Sequence, residues 1–237
     1  MTMPLPVVPE QYQGGWQRTL YAEPNTPPYR KTDTTTKVVW LQGQQWHADL
    51  RIPADAPDFS GIQTLEACSR PQLEWMASLT AFAGLTQIEG GVCTWHRFQD
   101  ICPSLEKDVG LLRWLDGQTV EEQHPAGHYV EDWQRLSAPS ANETIRVDEL
   151  GRLRWLALGD HAIAITPRPL TVDLQRPFTL PSNASIETLR WRVSLCFDYC
   201  QRQQEGWRIE LSTQPWRKGC FLNGANHSPT NAATTQL

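Results

Sequence analysis

The amino-acid sequence predicts an all-β protein: two tandem, related antiparallel β-barrels with short helices. Three observations carry this reading. Strand-like runs alternate with glycine turns, helical periodicity is scarce, and the chain repeats part of its own pattern. The clearest strand pair is Lys37-Val38-Val39-Trp40-Leu41-Gln42 followed, across Gly43-Gln44, by a run from 45 to 53. Two such runs around a short glycine turn are a hairpin signature. Further runs at 80–88 and 92–99, 109–115 and 119–123, 143–149 and 152–158, 161–166, and 189–200 and 207–213 continue the pattern. Short strands punctuated in this way indicate a sandwich or barrel. One short helix is expected from Ser69 as N-cap, with Pro71 in its first turn, to about Met76.

The repeat sets the expected domains. Trp16-Gln17-Arg18 returns as Trp133-Gln134-Arg135, Trp40-Leu41 as Trp155-Leu156 and Phe82 as Phe197, all roughly 115 residues apart. This predicts a first barrel-like half over 1–130, a second over 131–218, and equivalent places for Trp16 and Trp133. The tail, 219–237, is rich in Asn, Thr and Ala and is expected to be disordered.

Composition narrows the function. With 237 residues, 40% of them hydrophobic, the chain can bury a core. A net charge of −5 and no run of Lys and Arg argue against nucleic acid or an anionic membrane as partner. No apolar stretch reaches the ~20 residues of a spanning helix, and the first residues show no secretory pattern, which predicts a cytoplasmic protein. The six cysteines form no Cys-x-x-Cys pair and no zinc spacing, so free thiols and no metal are expected. No phosphate loop, dinucleotide fingerprint or nucleophile elbow is present, and no cofactor is implied.

Gly14-Gly15-Trp16 near the chain start, ahead of many short strands, resembles the opening of calycin (lipocalin-like) barrels. Trp40-Leu41-Gln42, Asp49-Leu50-Arg51-Ile52-Pro53 and the run from Gly206 to Thr213 look like a little-studied group of two-barrel calycin-like proteins. The resemblance implies calycin-like barrels. It also implies an arginine packed across Trp16, with Arg97 and Arg208 as candidates on late strands.

Alternation places His47, Asp49 and Arg51 on one face of their strand, ~6.6–7 Å between successive members. In a polar lumen they could clamp an anion or hold a general base beside a cation. The opposite face, Trp46, Ala48, Leu50 and Ile52, is the more natural core, which would leave the three in water. His96 is a further candidate acid or base. Trp40, Trp95, Arg208 and Glu210 are candidate ligand contacts. Two functions follow: binding of a small apolar or aromatic ligand in a barrel, or a cofactor-independent isomerase, cyclase or lyase.

Overall fold

The computed structural model describes residues 7–137, 142–169, 180, 183–222 and 229–230. The first half is a closed barrel. Its strands are β1 (Gly14–Glu23), β3 (Lys37–Gln42), β4 (Trp46–Ile52), β5 (Thr80–Glu89), β6 (Val92–Asp100), β7 (Asp108–Trp114), β8 (Thr119–Gln123) and β9 (Val130–Ser137). They pair antiparallel in that order, and β9 returns to β1, from Gly15 opposite Ser137 to Ala22 opposite Val130. A short strand, β2 (Lys31–Asp33), flanks the far end of β1. This is an eight-stranded up-and-down closure.

The second half is an open antiparallel sheet. It runs β10 (Glu143–Val147), β11 (Leu153–Leu158), β12 (His161–Thr166), β13 (Cys196–Gln203), β14 (Gly206–Ser212), β15 (Phe221–Leu222) and β16 (Pro229–Thr230). The second half is therefore not a closed barrel. Nor are Trp16 and Trp133 equivalent: they lie on adjacent strands of one barrel, and both are fully buried in it. The Trp-Gln-Arg at 133–135 belongs to the strand that closes the first barrel. Within the tail expected to be disordered, Leu222 is buried and β15 pairs with β14. Residues 223–228 and 231–237 of that tail lie outside the described residues.

Two short helices link the hairpins. α1 (Arg70–Ala77) starts at Ser69, whose backbone N–H donates to Gln72 Oε1 at 2.8 Å. This is half of a capping box, at the Ser69 N-cap that the sequence predicts. α2 (Ile186–Val193) occupies part of a run read as strand. Ser185 caps it by accepting the Thr188 N–H at 3.1 Å, and Leu189 and Val193, four apart, bury together against Leu73 and Met76 of α1. Capping and a helical period outweigh the strand-like composition there.

The sheet lies against the outside of the barrel. Leu41, Ala48, Leu50, Ala81 and Ala83 on the outer face of β3–β5 share a core with Leu156, Leu158, Ile163, Ile165, Phe197 and Tyr199. Each large apolar side chain so buried contributes roughly 1.5–3 kcal/mol. Consequently β4 is buried on both faces. Its apolar face meets the sheet, and its polar face, with His47 and Asp49 at 0% and 2% exposure, points into the lumen. The reading that put those residues in water fails because the second layer covers what would have been the only core face.

One barrel end is plugged. A 3₁₀ turn, Glu10–Tyr12, precedes β1, and the Trp16 indole donates to Tyr12 O at 2.9 Å. The arginine across Trp16 is Arg135, neither Arg97 nor Arg208. Its guanidinium sits 4.2 Å from the ring centroid and donates to Gln13 O at 2.9 Å and Gln11 O at 2.6 Å. Closure brings it there, because β9 is the neighbour of β1. Replacing Arg135 with Ala removes two charge-assisted hydrogen bonds and a cation–π contact, an expected loss of about 2–4 kcal/mol in urea unfolding. Arg135→Lys, which keeps charge without the planar fork, should fall between. A loss under about 0.5 kcal/mol for Arg135→Ala, the size of an ordinary surface substitution, would show that this contact does not hold the end shut.

Candidate functional site

Away from the plugged end the lumen turns from tryptophan to charge. Alternation on β1, β4, β8 and β9 aims Arg18, Asp49, Arg51, Glu122 and Glu131 toward one another. Arg51 donates through Nε to Asp49 at 2.9 Å and through a terminal nitrogen to Glu131 Oε1 at 2.9 Å. Arg18 reaches the same Glu131 oxygen at 2.6 Å and Asp33 at 2.9 Å. Glu131 is therefore held between two guanidinium groups, while its Oε2 is buried with no hydrogen-bond partner among the described residues. A side-chain exposure of 23% puts Arg51 where this end meets solvent.

Glu122 stands opposite Glu131 across the β8–β9 ladder and is the uncompensated member. The Trp133 indole donates to it at 3.1 Å, and the Tyr129 hydroxyl lies 3.3 Å away. Burial, reinforced by the charge of Glu131, raises its carboxyl well above the usual range. The two neighbouring carboxyls thus stand in different surroundings, one ion-paired with two guanidinium groups and one hydrogen-bonded to neutral donors. Burial also raises Asp49, against the pull of Arg51.

Trp40, Asp49, Arg51 and Trp95 meet around a cavity of ≈ 10 Å³, together with Phe82, Asp108, Glu122 and Trp133. That space suits about one water molecule. The lumen is otherwise packed: Trp16, Trp40 and Trp133 are almost wholly buried. A ligand of ~300 Å³ or more cannot enter this cavity without moving side chains.

On the barrel flank lies a roomier feature. β6 pairs with β7 only from Val92 to Trp95, and the chain then leaves through 101–107. The gap is an open groove of ≈ 610 Å³ whose lining includes Trp95, His96, Arg97, Phe98, Lys107 and Asp108. Trp95 and Asp108 line both the groove and the inner cavity. Arg97 bridges them: it donates to Asp108 at 2.8 Å and Asp100 at 3.3 Å, and lies 3.6 Å over the Phe82 ring.

The other expected residues fall as follows. His96 is exposed in the groove, away from the charged cluster. His47 faces the lumen, with Nδ1 2.9 Å from Thr86 Oγ1 and its ring against Phe82. Burial, then the charge of Arg97, lowers its pKa to about 3, so it stays neutral at ordinary pH. Arg208 and Glu210 pair with each other at 2.6 Å on β14, in the other layer. Sequence reasoning missed Arg18, Glu122 and Glu131. The available signal was a charged residue two positions from a large apolar one on the same strand face, as Glu122 follows Val120 and Glu131 precedes Trp133. Among the described residues no cluster of three or more His, Cys, Asp or Glu side chains could hold a metal ion.

The Glu122 shift has a signed consequence. Below the unfolded carboxyl value, ~4.3, both states are protonated and the group costs nothing. As pH rises from there toward its raised native value, the native state binds more protons than the unfolded chain and stability is lost. Glu122→Gln abolishes this term, so its stability relative to the parent should grow as pH rises above ~4.3, by up to about 1.4 kcal/mol per unit until the raised native value is passed. Asp49 and Asp100, also raised by burial, leave a residual slope in both proteins. A pH-independent difference between the two would contradict the assignment.

No protein-family model matches the chain, and no curated protein matches it in sequence. Among solved structures, a lipocalin-like protein from Bacteroides uniformis ATCC 8492 is similar over 53% of this chain and 99% of its own, at 10% identity and a TM-score of 0.36.

Proposed function

We propose that the protein is an intracellular small-molecule binder whose ligand lies in the groove between β6 and β7. The carrying observation is continuity: Trp95 and Asp108 belong both to the groove and to the charged cavity behind it. An apolar or aromatic body would rest against Trp95 and Phe98, the latter 61% exposed. A polar substituent would meet Arg97 and Asp108, which sit half-buried and can exchange their mutual ion pair for the ligand. The groove volume falls within the ~300–1,000 Å³ common to ligand sites, whereas the lumen itself is filled. Free thiols at Cys68, Cys93, Cys102, Cys196 and Cys200 support a reducing compartment. A common origin for the two halves is also part of this reading. It is supported by the shared order of hairpin, helix and hairpin, β3–β4–α1–β5–β6 and β11–β12–α2–β13–β14.

One observation favours catalysis as a second reading. Glu122, its carboxyl raised by burial, stands beside Glu131, which is paired with two guanidinium groups, the kind of carboxyl pair a cofactor-independent isomerase would need.

Fluorescence titration with a panel of small aromatic acids, amines and amides tests the proposal. At least one should bind saturably and perturb tryptophan emission. Phe98→Ala should weaken it by about tenfold, the worth of an aromatic contact and its buried area. Arg97→Gln should change the preference between acid and amine. Saturable binding untouched by both substitutions would remove the groove; turnover lost selectively in Glu122→Gln would favour the enzyme.

A further inference from the structure

The outer face of the second sheet, remote from the barrel, holds a second concave space. Trp40 on β3 is hemmed in by Trp16, Trp95 and Trp133. Trp155 on β11 has small neighbours instead: Ala157, Ala162 and Ala164 lie in its cluster. A cleft of ≈ 370 Å³ remains there, open to solvent. Trp155 and Trp207 form its aromatic walls, with ring centroids 5.2 Å apart at an interplanar angle of 80°. Ala157 and Leu222 are among its apolar lining, and Arg146, Arg202 and Asp160 are its charged lining residues. Two guanidinium groups against one carboxylate give the rim a net positive charge. Arg202 is already poised over an aromatic face, 5.4 Å from the Trp207 centroid.

We infer that this cleft is a separate binding site for a small planar aromatic anion. The perpendicular indoles offer a face and an edge to a flat ring, the arrangement aromatic pairs prefer. The arginines supply the planar, forked donors that match a carboxylate. The alanines make the space: a longer side chain at 157 would occupy the ring's place. An apolar ligand without charge would leave both guanidinium groups unused, and a cation would be repelled by them. The aromatic anion is therefore the class that uses both indoles and both guanidinium groups, the two cations outweighing the one carboxylate of Asp160.

Isothermal titration of the full chain with 2-naphthoate, 2-naphthamide and 2-naphthylmethylammonium tests the inference. The acid should bind saturably at one site, the amide about tenfold more weakly and the ammonium more weakly still, as loss of a charge-assisted contact dictates. Arg146→Gln and Arg202→Gln, at exposed positions, should each weaken the acid about tenfold and leave the amide within about twofold. Ala157→Leu should weaken acid and amide alike, with circular dichroism and thermal unfolding confirming the fold. The two arginine variants keep the test independent of any folding defect in the core variant. Phe98→Ala, in the barrel groove, should leave 2-naphthoate binding unchanged, so failure of one site is read apart from failure of the other. No saturable binding of the acid, equal affinity for acid and ammonium, or sensitivity to Phe98→Ala without sensitivity to the arginine variants would overturn it.

Discussion

The arrangement depends on the burial of one strand from both sides. β4 carries His47, Asp49 and Arg51 on one face and Ala48 and Leu50 on the other, and of these five only Arg51, at the barrel end, reaches water. The second sheet covers the apolar face and thereby confines the polar face to the barrel lumen. Charges so enclosed are costly unless paired, and the pairs here are shared: Arg51 serves Asp49 and Glu131, and Arg18 serves Glu131 and Asp33. The network leaves Glu122 without an ion-pair partner among the described residues, and burial raises its carboxyl well above the usual range. That rise is thus a consequence of how the two layers pack.

The same constraint explains which features could be read in advance. Local signals were legible: the glycine turn between β3 and β4, the Ser69–Gln72 cap of α1, and the period-two alternation of β4. These depend on residues within a few positions of one another. What was not legible depends on long-range pairing. Trp133-Gln134-Arg135 looked like a second copy of Trp16-Gln17-Arg18, yet the two segments are neighbours in one barrel, and Arg135 supports Trp16 directly. A similar motif on paired strands cannot be told from a repeat by spacing alone. The stretch 186–193 carried Trp, Val and Leu, residues at home in strands, and only the cap at Ser185 and the Leu189–Val193 spacing marked it as helix.

The candidate site was partly legible for a related reason. Trp40, Asp49, Arg51 and Trp95 come together because two adjacent strands, β3 and β4, and a third, β6, point them into one lumen. His96 lies next to Trp95 in sequence and so faces outward, into the groove. Glu122 and Glu131 gave no motif, since a carboxylate in a strand usually faces solvent. Closure of the barrel converts them into interior groups. Open sheet and closed barrel also differ in filling: indoles pack the barrel, whereas alanines line the open sheet and leave a cleft.

Hydroxyl-radical footprinting of the native protein, read by mass spectrometry, tests the double burial of β4 most directly. The exposed Phe98 and Leu105 serve as labelled standards within the same chain. Leu41, Leu50 and Phe197 on the layer interface, and Trp40 and Trp133 in the lumen, should all remain protected at comparable levels. Labelling of Leu41 and Leu50 approaching that of Phe98, with Trp40 still protected, would mean that the sheet does not cover the barrel. The explanation of the buried charge network would then fail.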